Sequence, residues 1–208
     1  MRADAEARLA ALPDDVRVLD VGGWASPLPR ANWVIDLLPH ATRGLYGPAP
    51  DPAAERFTEA TWVVADVCEP WPFEDGAFDV AVCGHTLEDV RDPVLVCREL
   101  SRVARSGYVE VPHVAEELTW GVQGPWVGWS HHRWLVEQEG EGLVFAHKPH
   151  LLAAEGRHLP ADDRTHEPLG LWWEGALPAR ERVFVGAAEL DPWLEGLLAR
   201  HRRRRWRR

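Results

Sequence analysis

The chain has 208 residues, and its content of 46% hydrophobic and 27% charged residues is typical of one globular domain. No uninterrupted apolar stretch approaches the ~20 residues that span a bilayer, so a transmembrane protein is excluded. The formal net charge of -10 makes general nucleic-acid binding unfavourable, because an acidic surface repels phosphate backbones.

The basic residues are concentrated at the end of the chain. Residues 200–208 carry seven of the 23 lysines and arginines, and the rest of the chain has 16 against 33 acidic residues. A terminal run of like charges predicts a solvated tail, the one segment that could bind nucleic acid or an acidic partner. The three cysteines lack metal-ligand spacing and the first residues show no secretory signal, so we expect a cytoplasmic protein.

The first half of the chain predicts short buried strands. Ala and Leu spaced among charges predict a surface helix over residues 3–12, which Pro13 ends. Compact apolar runs then predict strands at 16–21, 33–36, 62–66, 78–83 and 107–111. Between the last two, Asp92 as N-cap and Pro93 as first helical residue predict a helix, because apolar residues recur after them at spacings of four and three.

The second half has a different character. Four tryptophans fall among residues 120–134, together with several glycines, which favours a loop over a helix. Two β-hairpins are predicted, one pairing 131–138 with 143–148 and the other pairing 169–174 with 180–185. The second hairpin would supply antiparallel strands that finish the sheet.

Together these elements predict an α/β fold with a mainly parallel sheet, antiparallel finishing strands and an aromatic-rich hairpin and loop insertion after the fifth strand. We expect a single domain over residues 1–199. Its core would be 16–112, its substrate lid about 113–165 and its finishing strands about 168–186, with 200–208 as a basic tail.

Ligands of open parallel sheets bind where loops leave the carboxyl ends of the strands. The residues at these positions are Gly22, Gly23, Asp36, Asp66 and His85. Glycines let a backbone approach a ligand closely, and an acid that ends the second strand can accept two hydrogen bonds from a ribose diol. This ordered set predicts a pocket for an adenosine-type ligand.

The same residues lie in segments that resemble a known family. VLDVGG at 18–23, VIDL at 34–37 and above all the continuous segment 65–112 are similar to class I S-adenosylmethionine-dependent methyltransferases of the methyltransferase domain 11 type. The long segment repeats the family's succession of strand-ending acid, PF, acid-rich turn, apolar strand, H-x-LE, DP, helix and glycine-led strand. The resemblance implies a Rossmann-like sheet and S-adenosyl-L-methionine as cofactor.

The resemblance also implies roles for individual residues. Asp20, Gly22 and Gly23 would form the first cofactor loop near the methionine portion. Asp36 would hold the ribose hydroxyls, and Asp66 with Val67 would face the adenine edge. His85 would lie near the sulfonium and the methyl acceptor.

The first loop departs from the family's pattern of an acid followed by three glycines at alternate positions. Asp20, Gly22, Trp24 and Ser26 occupy those positions, so two of the three glycines are absent. About eleven residues, 22–32, separate the first two strands, and they include Pro27 and Pro29. An abbreviated connection without the usual helix is therefore expected.

Two groups of residues are candidates for acceptor chemistry. His85 and His113, which follow the fourth and fifth strands, are the candidate catalytic bases. The candidate substrate-binding residues lie in the lid: Trp126, Trp129, His131 and His132. Adjacent histidines in a strand point to opposite faces, so no metal site is predicted, although a site combining His85, His113 and one of that pair is left open.

The sequence thus favours methyl transfer from S-adenosylmethionine to an oxygen or nitrogen of a small-molecule acceptor. One alternative is a domain of this fold that has lost transfer chemistry and acts as a binding or scaffold partner. Another is non-methylating catalysis, such as cyclisation or isomerisation. A dinucleotide-dependent reductase is disfavoured because G-x-G-x-x-G is absent, and a hydrolase because G-x-S-x-G is absent.

Overall fold

The computed structural model describes residues 1–45, 51–161 and 166–202, in which the chain forms nine strands and four α-helices. The strands are β1 (Val18–Val21), β2 (Trp33–Asp36), β3 (Trp62–Val64), β4 (Phe78–Gly84), β5 (Ala104–Val111), β6 (Trp134–Glu139), β7 (Gly142–His147), β8 (Leu169–Glu174) and β9 (Ala179–Glu181). The helices are α1 (Ala3–Ala10), α2 (Pro93–Val103), α3 (Val114–Glu117) and α4 (Ala187–His201).

The central sheet has six strands in the order β3-β2-β1-β4-β5-β8. The first five are parallel to one another, and β8 closes the edge antiparallel to β5. This arrangement confirms the predicted α/β fold with a mainly parallel sheet. Residues 22–32 contain no helix, as the two prolines and the short length of this connection predicted.

Two apolar layers cover the central sheet. On one face, α2 buries Val96 and Leu100 against strand residues such as Leu19. On the other face, α1 buries Leu9 against Val34 and its neighbours. Helix α2 begins where the sequence predicted, because the Asp92 carboxylate accepts a hydrogen bond from the Leu95 amide at 2.9 Å and Pro93 follows it.

A second, three-stranded sheet has the order β6-β7-β9. Strands β6 and β7 form the predicted first hairpin. The second predicted hairpin is wrong: β8 joins the central sheet, whereas β9 pairs in parallel with β7. The turn at 175–178 redirects the chain, so only one antiparallel strand finishes the central sheet. Apolar side chains of α4, including Leu194 and Leu198, pack in a third core with Leu135 of β6.

The boundary of the basic tail also differs from the prediction. Arg200 and His201 are the last residues of α4, so the helix runs into the segment assigned to the tail. Residues 203–208 lie outside the described residues. No helix in the described ranges combines the length and apolar character needed to cross a bilayer.

Candidate functional site

The parallel strands bring the predicted cofactor residues to one edge of the central sheet. Gly22 follows β1, Asp36 ends β2, Asp66 lies two residues after β3, and His85 follows β4. These four strands are neighbours in the sheet, so their carboxyl ends form one continuous edge. The edge is therefore the candidate cofactor site, as expected for ligands of open parallel sheets.

Asp20 organises the first loop from within. Its side chain is buried, and one carboxylate oxygen accepts a hydrogen bond from the Leu28 amide at 2.8 Å. Burial raises the pKa of Asp20 to about 7. A Cβ at Gly23 would overlap this carboxylate, and Gly22, at φ +75°, has Thr86 packed where its Cβ would be. Both glycines are thus required by contacts within the protein, and the buried Asp20 carboxylate fixes the loop.

The Asp36 carboxylate accepts hydrogen bonds from two main-chain amides, one in the loop after β1 and one directly after β2. Its two carboxylate oxygens accept one hydrogen bond each, from the Trp24 amide at 3.0 Å and from the Leu38 amide at 2.8 Å. Burial raises the pKa of this carboxyl, and the two amides oppose that rise. Each carboxylate oxygen has capacity for a second hydrogen bond, so Asp36 can still receive a pair of hydroxyl groups.

Three exposed apolar side chains lie beside Asp36, and none of them was among the site residues predicted from the sequence. Leu37 and Leu38 directly follow the acid, and Val64 ends the neighbouring strand β3. Their exposed fractions are 66%, 39% and 57%. An apolar surface next to a hydrogen-bonding carboxylate suits a flat aromatic base attached to a ribose. In the sequence, the pair of leucines directly after a strand-ending acid was the pattern that could have indicated this apolar surface.

The Asp66 carboxylate lies at the surface and pairs with Arg91, which was not among the residues predicted from the sequence. One carboxylate oxygen accepts a hydrogen bond from the Cys68 amide at 2.8 Å, and the other lies 2.6 Å from the Arg91 guanidinium. The Cys68 amide and then Arg91 lower the pKa of Asp66. The Val67 side chain is buried in the core, so only the main chain of Val67 is available to a ligand.

His85 lies between two buried carboxylates. Its Nε2 is 2.9 Å from Oε1 of Glu110, and its Nδ1 is 3.6 Å from Oε1 of Glu88. Burial opposes a charge on the ring, but the two carboxylates outweigh it and raise the pKa of His85 to about 9. His85 is therefore an imidazolium at neutral pH. It also adopts a left-handed backbone conformation, at φ 53°, which is uncommon for a residue other than glycine.

Glu110 is fully buried in β5 and was not predicted from the sequence. Besides His85, it accepts hydrogen bonds from the Tyr108 hydroxyl at 2.6 Å and from the Arg2 amide at 2.8 Å. Burial would raise the pKa of this carboxyl, but its donors lower it to about 2. A single glutamate within an apolar strand could have indicated such a network, because a buried carboxylate needs hydrogen-bond partners.

His113 contacts other histidines. Its Nδ1 accepts a hydrogen bond from the Ala115 amide at 3.1 Å at the start of α3. Its ring stacks on His166 at 4.8 Å and meets His201 of α4 at 5.6 Å. Burial, together with these two rings, lowers the pKa of His113. The neutral ring then carries its proton on Nε2, so it offers a donor there rather than a base.

The predicted lid residues lie in irregular structure before β6. Trp126 is exposed, whereas Trp129 stacks on His132 with ring centroids 5.8 Å apart. His131 and His132 precede β6 instead of belonging to it, and their ring centroids are 4.5 Å apart. The expectation that the two rings point to opposite faces of a strand is therefore wrong. Both rings approach the carboxylate of Asp89.

The structure also contains a cavity of about 620 Å³. It is formed between the first residues of α2 and strand β9, and Arg91, Arg98 and Trp134 contribute to its walls. None of the predicted site residues lines it.

The sequence of residues 46–109 matches the family model described as a methyltransferase domain. The match includes Asp66, Val67 and His85, and the first loop and Asp36 precede it. Comparison with curated proteins finds no match.

Several solved structures are similar to part of the chain. An S-adenosylmethionine-dependent methyltransferase from Mesorhizobium loti is 20% identical, with a TM-score of 0.39 over 54% of this chain and 56% of that one. A SAM-dependent methyltransferase from Aquifex aeolicus is 19% identical, with a TM-score of 0.41 over 53% and 65%. The [4+2]-cyclase SpnF is 25% identical, with a TM-score of 0.40 over 52% and 43%.

The similar region thus spans between 43% and 65% of these proteins. At these scores the structures add no argument about activity. The family likeness therefore depends on the match over residues 46–109, which contribute to a mainly parallel sheet as predicted. Over residues 46–109, the resemblance to the methyltransferase domain family inferred from the sequence is confirmed.

Proposed function

We propose that the chain is an S-adenosylmethionine-dependent methyltransferase that acts on an oxygen or nitrogen of a small-molecule acceptor. The family match over residues 46–109 supports the class of reaction. The carboxylates at the ends of neighbouring strands support the position of the cofactor. The three free, buried cysteines are compatible with a reducing cytoplasm, which is part of the proposal.

Asp36 is the observation that carries the proposal. Its oxygens retain hydrogen-bonding capacity after the Trp24 and Leu38 amides are satisfied, and exposed apolar side chains lie beside it. In this proposal Asp36 holds the ribose hydroxyls, and Leu37 and Val64 contact the base. The main chain of Gly22 and Gly23 holds the methionine portion, with Asp20 fixing that loop from below.

The protein's part in the reaction is mainly alignment. When bound, S-adenosylmethionine supplies an activated methyl group, and holding two reactants in line can lower a barrier by up to about 7 to 11 kcal/mol. Both ring nitrogens of His85 are directed at carboxylates and the ring is protonated, so we assign it to positioning the loop after β4. We assign His113 as a hydrogen-bond donor to the acceptor through Nε2, because its Nδ1 already accepts from the Ala115 amide.

The lid is assigned to acceptor binding. Trp120 and Trp126 are exposed large aromatic residues of the segment after β5. Gly121, Gly124 and Gly128 all have positive φ there, which lets this irregular segment turn sharply. We therefore assign Trp120, Trp126 and Trp129 to contacts with an apolar part of the acceptor.

Asp36→Asn is expected to weaken binding of S-adenosylhomocysteine by about tenfold or more. The neutral amide loses charge-assisted hydrogen bonds to the ribose, and such bonds contribute about 1.5 to 3 kcal/mol each. Isothermal titration calorimetry of the wild type and the variant measures the difference. Asp15→Asn, an exposed change before β1 at the opposite edge of the sheet, is the control and should bind like the wild type.

Because Asp36 also orders two amides, a second variant separates binding from folding. Leu37→Glu alters a side chain that is 66% exposed, so it should leave the melting temperature unchanged and still weaken binding. Absence of binding to the wild-type protein would overturn the cofactor assignment. Methyl transfer itself is tested by product mass, since the reaction replaces a hydrogen of the acceptor by a methyl group.

A binding protein without transfer activity is the second candidate. The space beside Gly22 and Gly23 is filled by Thr86 and Asp20, and Trp24 and Ser26 stand where the family has glycines. Binding of S-adenosylhomocysteine without consumption of S-adenosylmethionine across a broad acceptor panel would favour this candidate. A product of unchanged mass would instead favour cyclisation or isomerisation.

A further inference from the structure

Three side chains outside the cofactor edge converge at the base of the lid. Asp89 lies in the loop between β4 and α2, and His131 and His132 precede β6. The Nε2 atoms of the two histidines are 4.0 and 3.9 Å from Oδ1 of Asp89. One donor atom of each residue lies within 4.8 Å of the donor atoms of the other two.

The tautomer of His132 is fixed from its far side. Its Nδ1 donates to Oε1 of Glu117 at 2.7 Å, and the other oxygen of this buried carboxylate accepts from the Lys148 ammonium at 2.8 Å. With a proton on Nδ1, the His132 ring directs Nε2 towards Asp89. A histidine that gives its second N–H to a carboxylate is typical of metal ligands, because the carboxylate orients the ring and raises its basicity.

Asp89 has an oxygen with no partner. Oδ1 is inaccessible to solvent and accepts no hydrogen bond from the described residues. The two imidazole nitrogens approach it at 4.0 and 3.9 Å, beyond hydrogen-bond range. A carboxylate oxygen and an imidazole lone pair repel each other unless a cation lies between them. The unpartnered oxygen and the two imidazole nitrogens thus converge on one point without a hydrogen bond between them.

We propose that Asp89, His131 and His132 bind a divalent transition-metal ion of the zinc type. Two imidazoles and one carboxylate suit zinc and its neighbours, whereas magnesium and calcium prefer oxygen ligands. Bonds of about 2.0 to 2.2 Å at tetrahedral angles place ligand atoms roughly 3.3 to 3.6 Å apart. The two histidine–aspartate distances would shorten by about 0.5 Å on binding. The distance between the two histidine donor atoms, which lies within 4.8 Å, would shorten by up to about 1.5 Å. Three protein ligands leave a position for water or for an oxygen of a small molecule.

The test measures metal binding on tag-free protein, in the absence of any methyl donor. Zinc content after equilibrium dialysis gives the stoichiometry. Substitution with Co²⁺ gives a visible absorption band, and a strong band indicates four- or five-coordinate metal. We expect one ion per chain. His131→Ala and Asp89→Asn should each weaken binding by at least about tenfold, because each removes a ligand. The His131 side chain is 56% exposed, so this variant tests the site without disturbing the core.

His150→Ala is the matched control, since His150 is an exposed histidine outside the cluster. It should bind zinc like the wild type. Equal zinc affinity in the wild type, His131→Ala and Asp89→Asn would overturn the proposal, as would binding of less than one ion to the wild type. Mg²⁺ in the same dialysis should not compete with zinc, and competition at similar concentrations would also contradict the ligand set. None of these outcomes depends on the proposed methyl transfer.

Discussion

Replacing Glu110 with alanine is expected to lower the free energy of unfolding by about 3 kcal/mol. Glu110 is fully buried, and its removal leaves the Tyr108 hydroxyl and the Arg2 amide without their acceptor. The share from His85 is smaller, because 42% of its side chain is exposed and water can replace the lost partner. Urea unfolding at pH 6 measures the loss.

Glu174→Ala on the adjacent strand β8 is the control, since Glu174 is exposed and pairs in register with Ser106. Its effect should stay within about 0.5 kcal/mol. If the two alanine variants unfolded at the same urea concentration, the buried network around Glu110 would not exist as described.

The same network predicts how stability depends on pH. The pKa of His85 is raised from 6.5 to about 9, so its contribution is complete below pH 6.5 and is lost as pH rises through 9. The pKa of Glu110 is lowered from 4.5 to about 2, so its contribution is complete above pH 4.5 and is lost as pH falls through 2. The stability difference between wild type and Glu110→Gln should therefore be largest between about pH 4.5 and 6.5. A difference that stays constant from pH 3 to 9 would contradict the ion pair.

Gly107→Ala is expected to destabilise the protein by about 3 kcal/mol, at the upper end of the usual cost of overpacking. Gly107 lies in β5 between β4 and β8. A Cβ at this position would overlap the carbonyl oxygen of Ala81 and the indole ring of Trp173. Neither neighbour can move freely, because one belongs to a strand backbone and the other is buried in the core. Thermal unfolding followed by circular dichroism measures the change.

Gly196→Ala provides the matched control in the same assay. Gly196 lies in α4 with no atom near the position of a new Cβ, so alanine should stabilise the helix by up to about 1 kcal/mol. If the melting temperature of Gly107→Ala equalled or exceeded that of the wild type, Trp173 would not pack on β5 as closely as described.

The elements of the central sheet could be predicted from local sequence alone. The runs at 33–36 and 78–83 became β2 and β4 with at most one residue of difference, because apolar clusters bounded by turn residues form strands whatever their partners. Asp92 and Pro93 similarly fixed the start of α2. The carboxyl-end positions of Asp36 and His85 followed from parallel pairing.

Other features depend on contacts between distant residues and could not be read in the same way. Strand β9 joins the second sheet because the chain turns at 175–178, and the alternation in its sequence is equally compatible with pairing to β8. The rings of His131 and His132 can both approach Asp89 because these residues precede β6, which starts at Trp134. The raised pKa of His85 depends on Glu110, which lies 25 residues away in the chain.

The four residues between β8 and β9 have one more consequence. The amide of Gly175 donates to the carbonyl of Arg105 at one end of this linker, and the Pro178 carbonyl accepts from the Leu143 amide at the other. These two hydrogen bonds connect the linker to both sheets, which restricts hinge bending between them. Under the proposed function, ligand entry would consequently depend on the glycine-containing loop of residues 119–130 and not on movement of one sheet against the other.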